Sequence, residues 1–174
     1  MFRKAEADDL NAVAAIYERI HEYEQRGALC IGWLPGIYPV RATAQAALSR
    51  ADLYVCENAG HVSAAAIINR QQVDVYADGA WKYPAAASEV MVLHTLVVDP
   101  IKQAKGIGTA FAAFYEACAR EAGCTVLRID TNEKNTAARR FYAGLGYREA
   151  GIVTCVFNGI PDVRLVLLEK RVGL

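Results

Sequence analysis

The sequence carries no excess of charge: Lys plus Arg and Asp plus Glu each number 19, so the formal net charge is zero. A balance of this kind lacks the electrostatic footprint of a nucleic-acid binder. An anionic ligand must then be drawn by a local patch, not by the field of the whole chain. No apolar run is long enough to cross a membrane. The 5 cysteines (Cys30, Cys56, Cys118, Cys124, Cys155) are odd in number and form no Cys-x-x-Cys pair. With no secretory segment at the N-terminus, the expectation is a cytoplasmic protein with reduced thiols. Cys56 and Cys155 lie in strand-like runs and Cys118 on an apolar helix face, which fits packing better than chemistry. The 3 histidines, His21, His61 and His94, are far apart and show no ligand spacing, so no metal site is expected. There is no repeat, linker or low-complexity tail. What the chain has in quantity is apolar residues, 54% of 174. That is enough for a real core, and the length predicts one domain over residues 1–174.

One stretch organises the rest: Val92-Leu93-His94-Thr95-Leu96-Val97-Val98-Asp99-Pro100-Ile101-Lys102-Gln103-Ala104-Lys105-Gly106-Ile107-Gly108-Thr109. Its first part is an apolar, β-branched run, which predicts a mostly buried strand. Asp99-Pro100 ends that strand, because proline has no N–H and restricts the residue before it. A short turn with two glycines follows, and from Ile107 the spacing of Phe111, Phe114, Tyr115 and Cys118 is helical. A helix N-terminus offers unpartnered N–H groups and the positive end of its dipole. Gly106 and Gly108 let a ligand approach the backbone closely. The arrangement predicts a phosphate or pyrophosphate cradle, with Lys102 and Lys105 adding local positive charge. It is neither a P-loop nor a dinucleotide fingerprint, since Gly-x-x-x-x-Gly-Lys-Ser/Thr and Gly-x-Gly-x-x-Gly are both absent.

Gln103-x-x-Gly106-x-Gly108, at a strand–turn–helix junction, resembles the pyrophosphate-binding signature of the GCN5-related N-acetyltransferases, the GNAT family, written Gln/Arg-x-x-Gly-x-Gly/Ala. A second segment follows in the right order with a strand between. Asn135-x-x-Ala138-x-x-Phe141-Tyr142-x-x-Leu145-Gly146-Tyr147 is similar to that family's Asn-x-x-Ala-x-x-Leu-Tyr segment with its trailing Gly-Phe/Tyr. Asn135 and Tyr142 are separated by about two helical turns, so both can face one ligand. The resemblance is specific from Val92 to Tyr147.

Along the chain, Phe2–Ala5 is a first strand, and Asp8 or Asp9 is placed to cap a helix whose apolar face is Leu10, Val13, Ile16, Tyr17 and Ile20. Gly27 ends it. Ala28–Pro39 is irregular, with two prolines and two glycines, and Thr43 is expected to cap a second helix ending near Arg50–Asp52. Leu53–Glu57 and His61–Asn69 form a hairpin. Gln71–Pro84 is expected as a long loop able to reach the substrate mouth. Strand Glu89–Val98, helix Gly106–Ala122 and strand Thr125–Asp130 imply a parallel pair. Asn135 caps a helix over Thr136–Leu145. Tyr147–Phe157, with a bulge at Gly151, and Asp162–Arg171 are joined at Asn158-Gly159, a hairpin signal. The fold class is mixed α/β. The resemblance implies the GNAT acyl-CoA N-acyltransferase fold: about seven strands, mostly antiparallel with a splayed parallel central pair, and helices on both faces.

The resemblance also implies acetyl-CoA as donor, CoA as product, and direct attack by an amine. Leu96, Val97 and Val98 would offer backbone groups to the pantetheine arm and thioester. Gln103, Ala104, Lys105, Gly106, Ile107, Gly108 and Thr109 would hold the pyrophosphate. Asn135 would bond the pantetheine or the CoA moiety near it, and Tyr142 would protonate the leaving thiolate. Since a free alkyl amine is mostly protonated at neutral pH, a base is needed. Glu89 at the start of the central strand and His94 within it are the candidates, with Glu22 and Glu24 on the first helix, and a water chain is the alternative. The acceptor is expected to be a small-molecule primary amine, contacted by Trp33 and Tyr38 of the irregular loop and attracted by acidic Glu22. A protein acceptor and a non-catalytic acyl-CoA sensor are the other readings. A homodimer is common in the family, and the last strand is the candidate edge for pairing. Nothing in the pattern suggests a nucleic-acid or membrane partner.

Overall fold

The structure, a computed structural model, describes residues 1–102 and 106–173. Seven strands form one mixed sheet: β1 (Phe2–Lys4), β2 (Leu53–Asn58), β3 (His61–Asn69), β4 (Val90–Val98), β5 (Val126–Asn132), β6 (Arg148–Phe157) and β7 (Ile160–Arg171), in the order β1-β2-β3-β4-β5-β7-β6. The helices are α1 (Leu10–Gln25), α2 (Arg41–Ser49), α3 (Ile107–Glu121) and α4 (Thr136–Gly144). The parallel pair is β4–β5, with Val90 opposite Val126 and Leu93 opposite Ile129. The pairs β1–β2, β2–β3, β5–β7 and β6–β7 are antiparallel. Strand count and mixed pairing are those that the resemblance implies, with one correction. The last strand is not an edge: β7 pairs with β5 on one side and β6 on the other, so the edge strands are β1 and β6.

The chain divides into two compact units. The first comprises Met1–Leu29, Trp33–Ile68 and His94–Phe114, and the second Cys30–Gly32, Asn69–Leu93 and Tyr115–Leu174. In the first unit, the stripe Val13, Ile16, Tyr17, Ile20 is buried as its helical spacing requires. Phe2 stacks on Phe114 and meets Phe111 edge-on, both at 5.2 Å between ring centroids. Asp9 precedes α1, but its side chain makes no cap hydrogen bond to the helix. Instead the Arg3 guanidinium grips both carboxylate oxygens at 2.6 and 2.9 Å, and Glu6 N–H donates to one of them. Arg3 holds the Asp9 carboxyl below the usual carboxylate range. Thr43 likewise lies within α2 rather than before it, and its hydroxyl accepts from Val40 N–H at 3.1 Å, one turn back.

Asp99, at the end of β4, is 1% exposed. The Arg19 guanidinium donates to both its oxygens (3.0 and 2.8 Å), its N–H donates to Ser63 O, and its Oδ1 accepts from Ile101 N–H. This knot fixes where the strand stops and the turn begins. Breaking a buried, forked pair by removing one partner is strongly destabilising. Asp99→Ala is expected to cost about 3 kcal/mol, measured as a fall in the urea midpoint at unchanged slope.

In the second unit, Tyr76, Val90, Val92, Val126, Leu165 and Leu167 share one core cluster. The Tyr115 hydroxyl donates to Met91 O of β4 at 2.6 Å and lies 3.2 Å from Arg128 O of β5, bracing the parallel pair. The segment 71–84 is not a free loop. It contains a 3-10 helix, Asp74–Asp78, whose Tyr76 is 3% exposed, and Trp81 Nε1 donates to Tyr76 O. Glu169, wholly buried on β7, accepts from Lys82 and Tyr83 N–H and pairs with Arg148. The aromatic residues therefore strap this segment onto the core. The Gly151 bulge and the Asn158-Gly159 turn form as expected: the register shifts between Glu149 and Gly151, and both turn residues have positive φ.

Candidate active site

In the first unit, β4 delivers Val98, and α3 opens at Ile107 on the far side of the turn. Gly106 has φ +90, and among the described residues a Cβ built there would meet no heavy atom within 4 Å. Glycine is required here because a side chain would be strained and would project into the space outside the turn. A cavity of 570 Å³ lies alongside, lined by Ile20, Tyr23, Leu29, Val98, Gly106 and Gly108, among others. Val98, Gly106, Ile107 and Gly108 are thus brought together at the N-terminus of a 15-residue helix. Of their neighbours, Val97 is buried, Leu96 half-buried and Thr109 exposed. Gln103, Ala104 and Lys105 lie outside the described residues. An open helix N-terminus beside a cavity with aliphatic walls suits an anionic group carrying a long, partly apolar arm.

Midway along β4, Thr95 has φ +51, a left-handed conformation that a β-branched residue rarely adopts. The paired register with β5 covers Val90 to Leu93, so the turn-out begins just beyond it. The irregular loop meets the strand at this residue: the Tyr38 hydroxyl and Thr95 Oγ1 are hydrogen-bonded. Tyr38 N–H in turn donates to Leu34 O at 3.0 Å, and Trp33 meets the Tyr38 ring edge-on at 5.9 Å. Trp33 and Tyr38 are therefore tied to each other and to the centre of the strand, with His94 half-buried next to Thr95. Glu22 stays exposed on α1, 3.8 Å from Arg26, a surface pair of small energetic weight.

In the second unit, Asn135 caps α4, its Oδ1 accepting from Ala138 N–H at 3.1 Å, which leaves its amide N–H groups to donate elsewhere. Two helical turns on, Tyr142 is 5% exposed, with its ring against Tyr147 at 5.5 Å. Burial, and after it the nearby Asp130 carboxylate, push the Tyr142 phenol well above its ordinary range. Glu89 is exposed at the start of β4, where its carboxylate accepts from Ala86 N–H at 2.9 Å and closes a one-turn 3-10 helix.

Asp130 is not among the residues that the motifs single out. It is half-buried on β5, and the buried Tyr76 hydroxyl donates to its Oδ2 at 2.8 Å. Burial raises the Asp130 carboxyl to about 6, against a smaller downward pull from that hydrogen bond. The signal in the sequence is its position: an ionisable residue at the carboxyl end of a parallel strand, where ligands of such sheets bind. Among the described residues, no group of three or more His, Cys, Asp or Glu is placed to hold a metal ion, and no helix is long and apolar enough to cross a membrane.

The sequence model described as the acetyltransferase (GNAT) family matches residues 13–147. No curated protein matches the chain in sequence. Solved structures do match in fold. A ribosomal-protein-alanine N-acetyltransferase from Brucella melitensis has 21% identity and a TM-score of 0.70 over 99% of both chains. An N-acetyltransferase from Staphylococcus aureus Mu50 has 21% identity and a TM-score of 0.67, covering 98% of this chain and 97% of the other. The Salmonella typhimurium protein yncA, solved with its cofactor acetyl-CoA, has 19% identity and a TM-score of 0.67, covering 100% and 94%. At these identities the structural likenesses speak for the fold.

Proposed function

The chain belongs to the GNAT family of acetyl-CoA-dependent acetyltransferases, and we propose that it acetylates the primary amine of a small molecule in the cytoplasm. The observation that carries the acceptor assignment is the tether from Tyr38 to Thr95. It fastens the aromatic pair Trp33–Tyr38 to the middle of β4, where a polypeptide acceptor would need an uncovered strand flank. An aromatic pair fixed beside the strand suits contact with a compact ligand.

Acetyl-CoA, when bound, supplies the activated acetyl thioester. Gly106, Ile107 and Gly108 would hold its pyrophosphate at the start of α3, with Val98 and the adjoining cavity receiving its arm. The fit rests on the space that the described residues leave at Gly106 and on the N–H groups of the first helical turn, which have no intrahelical partners. Thr95, with its left-handed backbone beyond the paired register, would offer a backbone group to the reacting carbonyl. Asn135, whose Oδ1 is used in capping α4, would donate from its amide nitrogen. Tyr142 keeps its proton at every physiological pH, because burial disfavours the phenolate, and so stands ready to protonate a departing sulfur. Glu89 is engaged in its own turn, which favours another group as base.

The test is CoA release from acetyl-CoA against pooled small amines, followed by mass spectrometry of the active pool. A product heavier by one acetyl group establishes the acceptor. Acetylation confined to peptides or protein N-termini would replace the small-molecule reading, and binding of acetyl-CoA without any turnover would make the chain a sensor. Within the reading, Trp33→Ala is expected to raise the acceptor KM by about tenfold while leaving acetyl-CoA affinity unchanged, as measured by steady-state kinetics and calorimetry on one preparation.

A further inference from the structure

We propose that Asp130 is the general base, taking a proton from the acceptor's ammonium group through Oδ1 while Tyr76 holds Oδ2. The proposal rests on the reading of the acceptor as a primary amine. Asp130 follows Ile129, the last β5 residue paired with β4, so it sits where the parallel pair opens. Strand alternation puts it on the face of Val126 and Arg128, the face packed with Tyr76 and Trp81, and opposite to Leu127 and Ile129. Tyr76, locked in the core, fixes the orientation of the carboxyl at 2.8 Å and leaves its second oxygen available.

Charge points the same way. The three buried acids each have a cation of their own: Asp9 has Arg3, Asp99 has Arg19 and Glu169 has Arg148. Among the described residues no Lys, Arg or His pairs with Asp130. Arg128, two residues back on the same face, stacks on the Trp81 ring at 3.9 Å and donates to Gln72. A partly buried carboxylate without a cation is costly, and an incoming ammonium would relieve that cost. The groups facing Asp130 are Tyr76 from the 3-10 segment, Arg128 on β5, Tyr142 from α4 and Cys155 from β6. Burial, chiefly, pushes the two phenols and the thiol upwards, and burial lowers Arg128, whose guanidinium is a donor only. Asp130, raised to about 6, is thus the member of this group suited to accept a proton near neutrality. The pattern of two neighbouring groups with protonation ranges pushed apart is that of an acid–base pair.

The step is a proton transfer. The ammonium N–H bond breaks, its electron pair stays on nitrogen for attack, and the proton goes to Asp130 Oδ1 and then to solvent. The net reaction is unchanged: ammonium and acetyl thioester give amide, thiol and one proton.

Asp130→Asn in the full chain tests this. At neutral pH kcat/KM for the acceptor should fall by about 100-fold or more, within the range of general-base loss. The deficit should shrink as pH approaches the acceptor's own pKa, where solvent supplies free amine. Acetyl-CoA affinity, measured by calorimetry, should stay within about twofold. Independently of turnover, a carboxyl resonance titrating near 6 in the wild-type 13C spectrum should vanish in Asp130→Asn. In Tyr76→Phe that resonance should titrate higher, because a hydrogen bond to the charged form is lost. Asp130→Glu provides the variant should Asp130→Asn fail to fold, with partial activity expected. Turnover of Asp130→Asn within about threefold of wild type and an intact acid limb would overturn the base alone. Wild-type silence on every primary amine, in protein that binds acetyl-CoA, would overturn the amine reading and the base with it.

Discussion

Gly106→Glu is expected to weaken acetyl-CoA binding by about 100-fold or more while the protein stays folded. The two halves of that expectation come from different physics. Folding is spared because, among the described residues, a Cβ at position 106 meets no atom within 4 Å. The backbone cost is the strain of a non-glycine residue at φ +90, about 1–3 kcal/mol. Binding is not spared, because the added carboxylate points into the space beside the first turn of α3, where the pyrophosphate is assigned. Two like charges about 4 Å apart repel by about 4 kcal/mol at the effective dielectric of a protein surface, more than the roughly 2.7 kcal/mol that a 100-fold loss requires. Gly106→Ala separates the contributions, since it carries the strain without the charge and should lose less than about tenfold. Titration calorimetry with acetyl-CoA, alongside the melting temperature of each variant, decides the matter. Unchanged affinity in a folded Gly106→Glu protein would remove this glycine from the cradle.

The features legible in the sequence are those set by local chemistry. The stripe Val13–Ile16–Tyr17–Ile20 fixes one helix through its period, Asn158-Gly159 fixes a hairpin through its positive φ angles, and Asn135 fixes a helix start through its cap. Gly106 and Gly108 stand out because a strand end, a turn and a helix start fall in order around them. The features that escape depend on partners remote in sequence. Asp9 looks like a helix cap until Arg3, on the preceding strand, takes both its oxygens. Thr95 lies in a run that reads as an ordinary strand, and its left-handed turn goes with a hydrogen bond to the hydroxyl of Tyr38, 57 positions away. The strand Ile160–Arg171 looks terminal in the chain, yet β5 reaches across to pair with it, and hydrophobic pattern alone does not encode that choice. Segment 71–84 has aromatic residues at positions 76, 81 and 83, a spacing that fits neither period, so its packing emerges only in three dimensions. Asp130 belongs with these. Its neighbours Val126–Ile129 mark a buried strand, but its meaning comes from Tyr76, 54 positions away.

Tyr142→Phe is expected to lower kcat by about 100-fold with little change in acetyl-CoA affinity, the loss typical of removing a positioned proton donor. Phenylalanine keeps the ring that packs against Tyr147 and Phe141, so stability should change by less than about 1 kcal/mol. A purely structural role for the hydroxyl would therefore show in melting and not in turnover. The pH dependence sharpens the distinction. Burial raises the phenol far above its ordinary value and the Asp130 carboxylate raises it further, so the proton stays in place across the assay range. The wild-type profile should then show no basic limb from Tyr142, and the variant's deficit should be the same at each pH above the acid limb. If the hydroxyl instead titrated like a free phenol, wild-type activity would fall near pH 10 and the two profiles would converge there. The chemical test concerns the leaving group. An acetyl thioester of a more acidic thiol needs less help from a proton donor, so it should restore Tyr142→Phe by a larger factor than it accelerates wild type. Equal acceleration of both proteins would show that Tyr142 does not act on the departing sulfur, and the acid would have to be sought elsewhere.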